Sequence, residues 1–198
     1  MTTFVLLVAV AYFLGSIPTG LLVARFLGGP DPRRAGSGNL GAANLYRLLG
    51  LKAGLLTLAG DAFKGALPVL AALHLLTPLG AWQESAVAAV GAAAVLGHVF
   101  PVFLRFQGGK GVATAFGVMA VLTPWATLNL LAVYALAVYR SRIFAVGSLM
   151  AAWLLPLAVG LFSESKAYLL LAGVFSGLIL GRHRENLERL VRGEEPRI

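Results

Sequence analysis

The chain has 198 residues, of which 59% are hydrophobic and 12% charged, against roughly 25% charged in a soluble domain. With a mean hydropathy of +0.84 this marks an all-α integral membrane protein, and the lack of cysteine excludes disulfides, thiolate catalysis and thiolate metal sites. The basic surplus, Lys+Arg 16 against Asp+Glu 8, would suggest nucleic acid in a soluble protein, but anionic headgroups and orientation in the bilayer explain it more simply.

Runs of about 20 apolar residues predict membrane helices over residues 4–24, 51–76 and 81–104. Two shorter runs, 112–122 and 125–139, are split at Pro124, and the last two cover 144–162 and 168–180. That makes about seven spans, of which the fourth is short: about 11 residues do not cross about 30 Å of hydrocarbon unaided. Because apolar runs recur from end to end with no polar linker, residues 1–198 read as a single polytopic domain.

Charge sets the expected orientation. Arg25, Arg33, Arg34, Arg47 and Lys52 surround the first loop, Arg105 and Lys110 the third, and Arg140 and Arg142 the fifth. Five more arginines, from Arg182 to Arg197, lie in the tail, whereas the intervening connections hold only Lys166. The positive-inside rule then puts the N-terminus outside and the tail in the cytoplasm.

Three unusual segments fall on that basic side. Gly36-Ser37-Gly38-Asn39-Leu40-Gly41 matches G-x-G-x-x-G, but no strand precedes it and no βαβ unit follows, so dinucleotide binding is rejected. It reads either as a flexible turn or as a glycine nest leading into a short helix over 39–49, with Asn39 capping, then Asn44 and Arg47. Gly108-Gly109-Lys110-Gly111 is not a P-loop, since Gly111 replaces the Ser or Thr after the lysine. It reads as a turn with a positive-inside lysine, or as an anion site at the N-terminus of the fourth helix. In the tail, His183 and Asn186 would share one face of a helix continuing past the last span, beside a basic membrane-binding face.

Asp61 and Lys64, three residues apart near mid-membrane, should pair and face the bundle interior as a structural ion pair. His98, before Phe100-Pro101, reads as a satisfied core histidine. Trp82, Trp125 and Trp153 are interface anchors or packing groups.

Order and spacing of these pieces carry a resemblance over nearly the whole chain. Gly15-Ser16-Ile17-Pro18, the 36–42 loop with Asn44 and Arg47, and Gly60-Asp61 with Lys64-Gly65 come first. Gly97-His98 with Phe100-Pro101, the 108–114 segment, His183-Arg184, Asn186, Arg189-Leu190, Gly193 and Glu195-Pro196 follow. In these the chain resembles the bacterial acyl-phosphate-dependent glycerol-3-phosphate acyltransferases, the PlsY family. Ala43 stands where a Thr is usual, and Pro32 where an aliphatic residue is.

The resemblance implies transfer of a fatty acyl group from acyl phosphate to the sn-1 hydroxyl of glycerol 3-phosphate, the first acylation of phospholipid synthesis. It implies a multi-pass protein of the bacterial inner membrane with its active site on the cytoplasmic side, no cofactor and no metal. Its partners would be the two substrates, membrane lipids and the soluble enzyme that makes acyl phosphate, with no nucleic acid. It makes Ser37, Arg47, Lys110, His183 and Asn186 the catalytic set, with Gly36, Gly38, Asn39, Gly41, Asn44, Gly108, Gly109 and Gly111 holding substrate or phosphate. Asp61, Lys64, His98 and Glu195 are then structural, Glu195 anchoring the tail. No H-x-x-x-x-D motif of other acyltransferases is present, since Phe103 and Glu188 occupy the fifth positions after His98 and His183. The alternative is a membrane anion or phospholipid transporter, which inverted repeats and broken helices in both halves would favour.

Overall fold

A computed structural model describes residues 1–198, the side chain of Pro78 excepted, and shows helices and no strand among the described residues. The chain resolves into two compact units, Met1–Val121 and Leu122–Ile198.

In the first unit, α1 (Thr2–Gly15) and α2 (Thr19–Phe26) replace the single helix expected over 4–24 and are bent by 42°. The cause is local. Pro18 removes an N–H and disfavours helix at Ile17, while Ser16 Oγ donates to the Tyr12 carbonyl at 2.8 Å, in the last turn before the break. A short α3 (Ala42–Leu49) follows the first glycine loop, and the long α4 (Leu51–Leu75) starts at Gly50, whose φ of 80° reverses the chain between them.

Next come a 3-10 turn (Thr77–Trp82) and α5 (Gln83–Val99), which stops two residues before Pro101. A second 3-10 turn (Val102–Leu104) leads through the second glycine loop into α6 (Val112–Leu122). Small residues let these helices meet backbone to backbone: a Cβ at Gly15 would run into the Ala94 carbonyl, and one at Gly97 into the Tyr12 carbonyl. The same crossing is tied by Tyr12 Oη donating to the Phe100 carbonyl at 2.8 Å.

The second unit stacks α7 (Pro124–Ser141), α8 (Phe144–Phe162) and α9 (Lys166–Arg182) in sequence. Pro124 opens α7 at the one helical position where its missing N–H costs nothing. The tail helix α10 (Arg184–Val191) does not continue α9, as the sequence suggested; the two are separated at His183, with φ −100° and ψ 8°. The terminal Ile198 N–H donates to the Arg142 carbonyl at 2.8 Å, returning the tail to the turn between α7 and α8.

Among the described residues, three segments are long and apolar enough to cross a membrane: Leu51–Leu75, Leu79–Leu104 and Phe144–Phe162. The bent pair α1–α2 raises that to four, while α6 falls short.

Candidate active site

The first glycine loop is built around one buried side chain. Asn44, 1% exposed in the first turns of α3, donates through Nδ2 to the carbonyls of Pro32, Ala35 and Asn39 at 3.1, 3.1 and 2.8 Å. Its Oδ1 accepts the Ser37 N–H at 2.9 Å. Gly36 turns at a φ of 61° directly over this carboxamide, so a Cβ there would strike Asn44 Oδ1. Asn44 therefore shapes the loop instead of facing its exposed surface. Asn39 does similar work: its Oδ1 accepts the Gly41 N–H at 2.8 Å in an Asx turn, and the helix begins at Ala42, later than the expected 39.

With the amides of Ser37 and Gly41 engaged and the Gly38 N–H donated to the Ala35 carbonyl at 3.2 Å, Ser37 can meet a substrate through its exposed hydroxyl. Arg47 lies half-buried one turn beyond Asn44 on the same face of α3. At the outer edge, Arg33 and Asp31 close an ion pair at 2.6 Å. Side-chain and then backbone hydrogen bonds from Arg33 hold the Asp31 carboxyl down at about 2.

The second loop is held by different means. Gly108 and Gly109 donate their N–H groups to the carbonyls of Val99 and His98, both at 3.2 Å. These are the last, otherwise orphaned acceptors of α5. The two amides, which the sequence placed among groups holding phosphate, here cap a helix. Lys110, half-buried, and Gly111, with φ 86°, follow at the start of α6, where free helix N–H groups and the positive dipole end favour an anion.

Beneath this loop lies the buried charge cluster. Lys64 Nζ reaches Asp61 Oδ1 at 2.8 Å, as the i,i+3 spacing predicts, and also donates to the Ile17 carbonyl at 2.9 Å. Ile17 sits in the α1–α2 break, where its carbonyl accepts from the Thr19 N–H at 3.0 Å as well as from the ammonium. His98, expected as a satisfied core histidine, is buried, but its Nδ1 makes no hydrogen bond and lies 3.6 Å from Asp61 Oδ1; its ring covers Gly109 so closely that a Cβ there would strike Nε2. Ile17 is a participant that sequence reasoning missed, although Pro18 marked the place where its carbonyl would be released.

In the second unit, His183 (3% exposed) and Asn186 (4%) are both buried. His183 Nδ1 lies 2.8 Å from the Ile179 carbonyl; since a carbonyl only accepts, Nδ1 carries a proton and donates it there. Glu195 anchors the tail: Oε1 accepts from Asn186 Nδ2 and Oε2 from Arg189 Nε, each at 2.7 Å. The bond to Glu195 fixes which end of the Asn186 carboxamide is which.

Such a molecule, all helix with membrane-length apolar segments and cationic side chains placed at glycine loops, belongs to the class of integral membrane proteins that handle anionic substrates. Comparison narrows the class. The chain belongs to the glycerol-3-phosphate acyltransferase family, whose model matches residues 5–193. A glycerol-3-phosphate acyltransferase of Syntrophotalea carbinolica is 48% identical over 198 residues, covering 100% of this chain and 98% of the relative. One of Geobacter sulfurreducens is 46% identical over 192 residues, covering 97% and 96%.

Among solved structures, the glycerol 3-phosphate form of PlsY (YgiH), an integral membrane glycerol 3-phosphate acyltransferase, matches with a TM-score of 0.91 at 38% identity, over 99% of this chain and 96% of that one. Its lysophosphatidic acid form matches at 0.89 and 37%, over 99% and 95%. The chain is thus an integral membrane acyltransferase.

Proposed function

We propose that this acyltransferase moves a fatty acyl group from acyl phosphate to the sn-1 hydroxyl of glycerol 3-phosphate, giving lysophosphatidic acid and inorganic phosphate. The observation that carries the reading is the 0.91 TM-score match, along 99% of the chain, to the glycerol 3-phosphate form of an integral membrane glycerol 3-phosphate acyltransferase. Residues 1–198 act as one catalytic domain.

The glycerol hydroxyl oxygen bonds to the acyl carbon while the bond from that carbon to the phosphate oxygen breaks. Because the donor is already a mixed anhydride, direct attack suffices, and the departing phosphate takes the hydroxyl proton. Arg47 and Lys110 neutralise the two phosphates by charge-assisted hydrogen bonds. Ser37 donates its hydroxyl to a phosphate or to the developing oxyanion, and His183 and Asn186 orient the glycerol hydroxyl and the acyl carbonyl. Asn39 and Asn44 shape the first loop and Gly108 and Gly109 support the second, leaving Lys110, Gly111 and the α6 N-terminus to meet the anion.

The donor's chain stays among apolar helices, so only its headgroup needs recognition, and the loops are too short to enclose a nucleotide. Acyl phosphate should support turnover by purified protein where acyl-CoA at equal concentration does not, with inorganic phosphate appearing in step with lysophosphatidic acid. Comparable rates from acyl-CoA with release of free CoA would overturn the donor assignment.

The charge distribution further supports seven spans in a bacterial inner membrane, with the N-terminus outside and the loops and tail cytoplasmic. Single cysteines at Ala35 and Gly193 should then label only from the cytoplasmic face and one at Ser165 only from outside. Labelling of Ala35 and Ser165 from the same side would sink that topology.

A further inference from the structure

Asp61 and Lys64 lie near the middle of a 25-residue membrane-length helix, 2% and 8% exposed, and His98 faces them from α5 at 7%. Stability is a weak reason for such a cluster, because apolar side chains of similar volume usually serve a buried position as well or better than an ion pair. What an apolar residue at position 64 cannot do is donate to the Ile17 carbonyl. Lys64 Nζ holds the Ile17 carbonyl at the α1–α2 break, and His98 holds Gly109 twice, by its backbone carbonyl and by the ring laid over it. Ile17, Lys64, His98 and Gly109 line one small cleft, and Leu40, within the first glycine loop, borders it as well.

We propose that Asp61, Lys64 and His98 form a buried positioning unit that sets the anion-holding loop 108–111 against the α1–α2 break, and so sets the affinity of the site for a phosphorylated substrate. The identity of that substrate rests on the acyltransferase reading above; the placement of the loop does not. The unit touches no reacting atom. It acts through Gly109 on the neighbouring Lys110, and through Lys64 on the break beside it. A loop that spends only a fraction of its time in the competent arrangement binds weaker by that fraction, without any change in the bound complex. The signature is therefore a raised KM with kcat largely kept.

The test uses full-length protein in lipid nanodiscs and three variants: Asp61→Leu with Lys64→Met, which removes both charges together; His98→Ala, which removes the ring over Gly109; and Val90→Ala, a buried α5 position outside the cluster. Steady-state kinetics with acyl phosphate and glycerol 3-phosphate are read beside thermal midpoints and amide hydrogen exchange of residues 107–112. For the charge-free pair and for His98→Ala the expected result is a KM for one phosphorylated substrate raised at least about tenfold, kcat within about threefold, and faster exchange across the loop. The charge-free pair should also keep its thermal midpoint, and Val90→Ala should lower the midpoint while leaving KM and loop exchange as they are.

Wild-type KM and wild-type loop exchange in both cluster variants would show that the cluster only fills space. Equal loosening of the loop in Val90→Ala would likewise overturn the proposal. Were wild type to turn over neither substrate, the acyltransferase reading would fail, and the exchange measurement alone would still decide the positioning role.

Discussion

The two glycine loops look alike in the sequence and are held by unlike physics. Loop 36–41 is organised from within, by four hydrogen bonds to one carboxamide, and its glycines at 36 and 38 are needed for left-handed backbone with φ of 61° and 70°. Loop 108–111 is organised from below: its first two glycines cap α5 and lie where a side chain would collide with His98 or with α5 carbonyls. Gly38 thus marks left-handed backbone alone, Gly108 and Gly109 close approach, and Gly36, left-handed and pressed on Asn44, both. Each loop has one half-buried cation close by in the chain, Arg47 in α3 and Lys110 before α6.

The comparison breaks if the two cations are unequal in kind. Arg47→Ala and Lys110→Ala should each cost a few kcal/mol of transition-state stabilisation, on the order of a hundredfold or more in kcat/KM, because each leaves a phosphate charge unmatched in a partly desolvated site. Full activity in either variant, by phosphate release from acyl phosphate, would remove that loop from the site.

Smaller effects sharpen the contrast between the loops. Gly109→Ala should lower kcat/KM more than about tenfold, since its Cβ must displace the His98 ring and with it the cap on α5. Gly38→Ala meets nothing nearer than the Arg33 carbonyl at 3.7 Å, so only left-handed strain of roughly 1–2 kcal/mol opposes it. It should lower the thermal midpoint with a modest change in rate. A Gly38 variant more damaged in kcat/KM than the Gly109 variant would reverse the assignment of the two glycines.

How much of this the sequence disclosed follows from the range of each interaction. Apolar segments such as 51–76 and 144–162 were legible because length and hydropathy alone decide them, and the Asp61–Lys64 pair because one helical turn joins it. The α1–α2 break was signalled by Pro18 yet hidden by the unbroken apolar run around it. The roles of Gly108 and Gly109 depend on carbonyls of His98 and Val99, which become their neighbours only once the chain folds back through a 3-10 turn. Spacing in the sequence could not reveal that their amides were already engaged. Glu195 entered through family resemblance; its bonds to Asn186 and Arg189 require Gly193, at φ 72°, to turn the tail back on α10.

Asn44→Ala tests the internally organised loop directly. It strands the Ser37 N–H and three carbonyls, but most of the loop is open to water, so the loss in stability should be about 1–3 kcal/mol, the cost of a missing buried hydrogen-bond partner. Activity should fall with it, because the Ser37 hydroxyl loses its place. A thermal midpoint and rate both unchanged would mean that the loop keeps its shape without the carboxamide.

The smallest expected effect lies at the outer edge of the same loop. Hydrogen bonds from Arg33 lower the Asp31 carboxyl from 3.8 to about 2, so the pair's contribution is fully present above about pH 4 and fades as pH falls through about 2. The pair is solvent-screened, with Arg33 48% and Asp31 28% exposed in their side chains, and it stands apart from the bonds that Asn44 makes. Asp31→Asn should therefore change kcat/KM at neutral pH by less than about twofold, as surface ion pairs usually do. Amide exchange across residues 31–36, corrected for its intrinsic pH dependence, should quicken between pH 5 and pH 2 in wild type and stay level in Asp31→Asn. Equal acid loosening in both proteins would show that some other group holds that edge, and a large loss of activity at neutral pH would place the ion pair beside Asn44 among the determinants of the first loop.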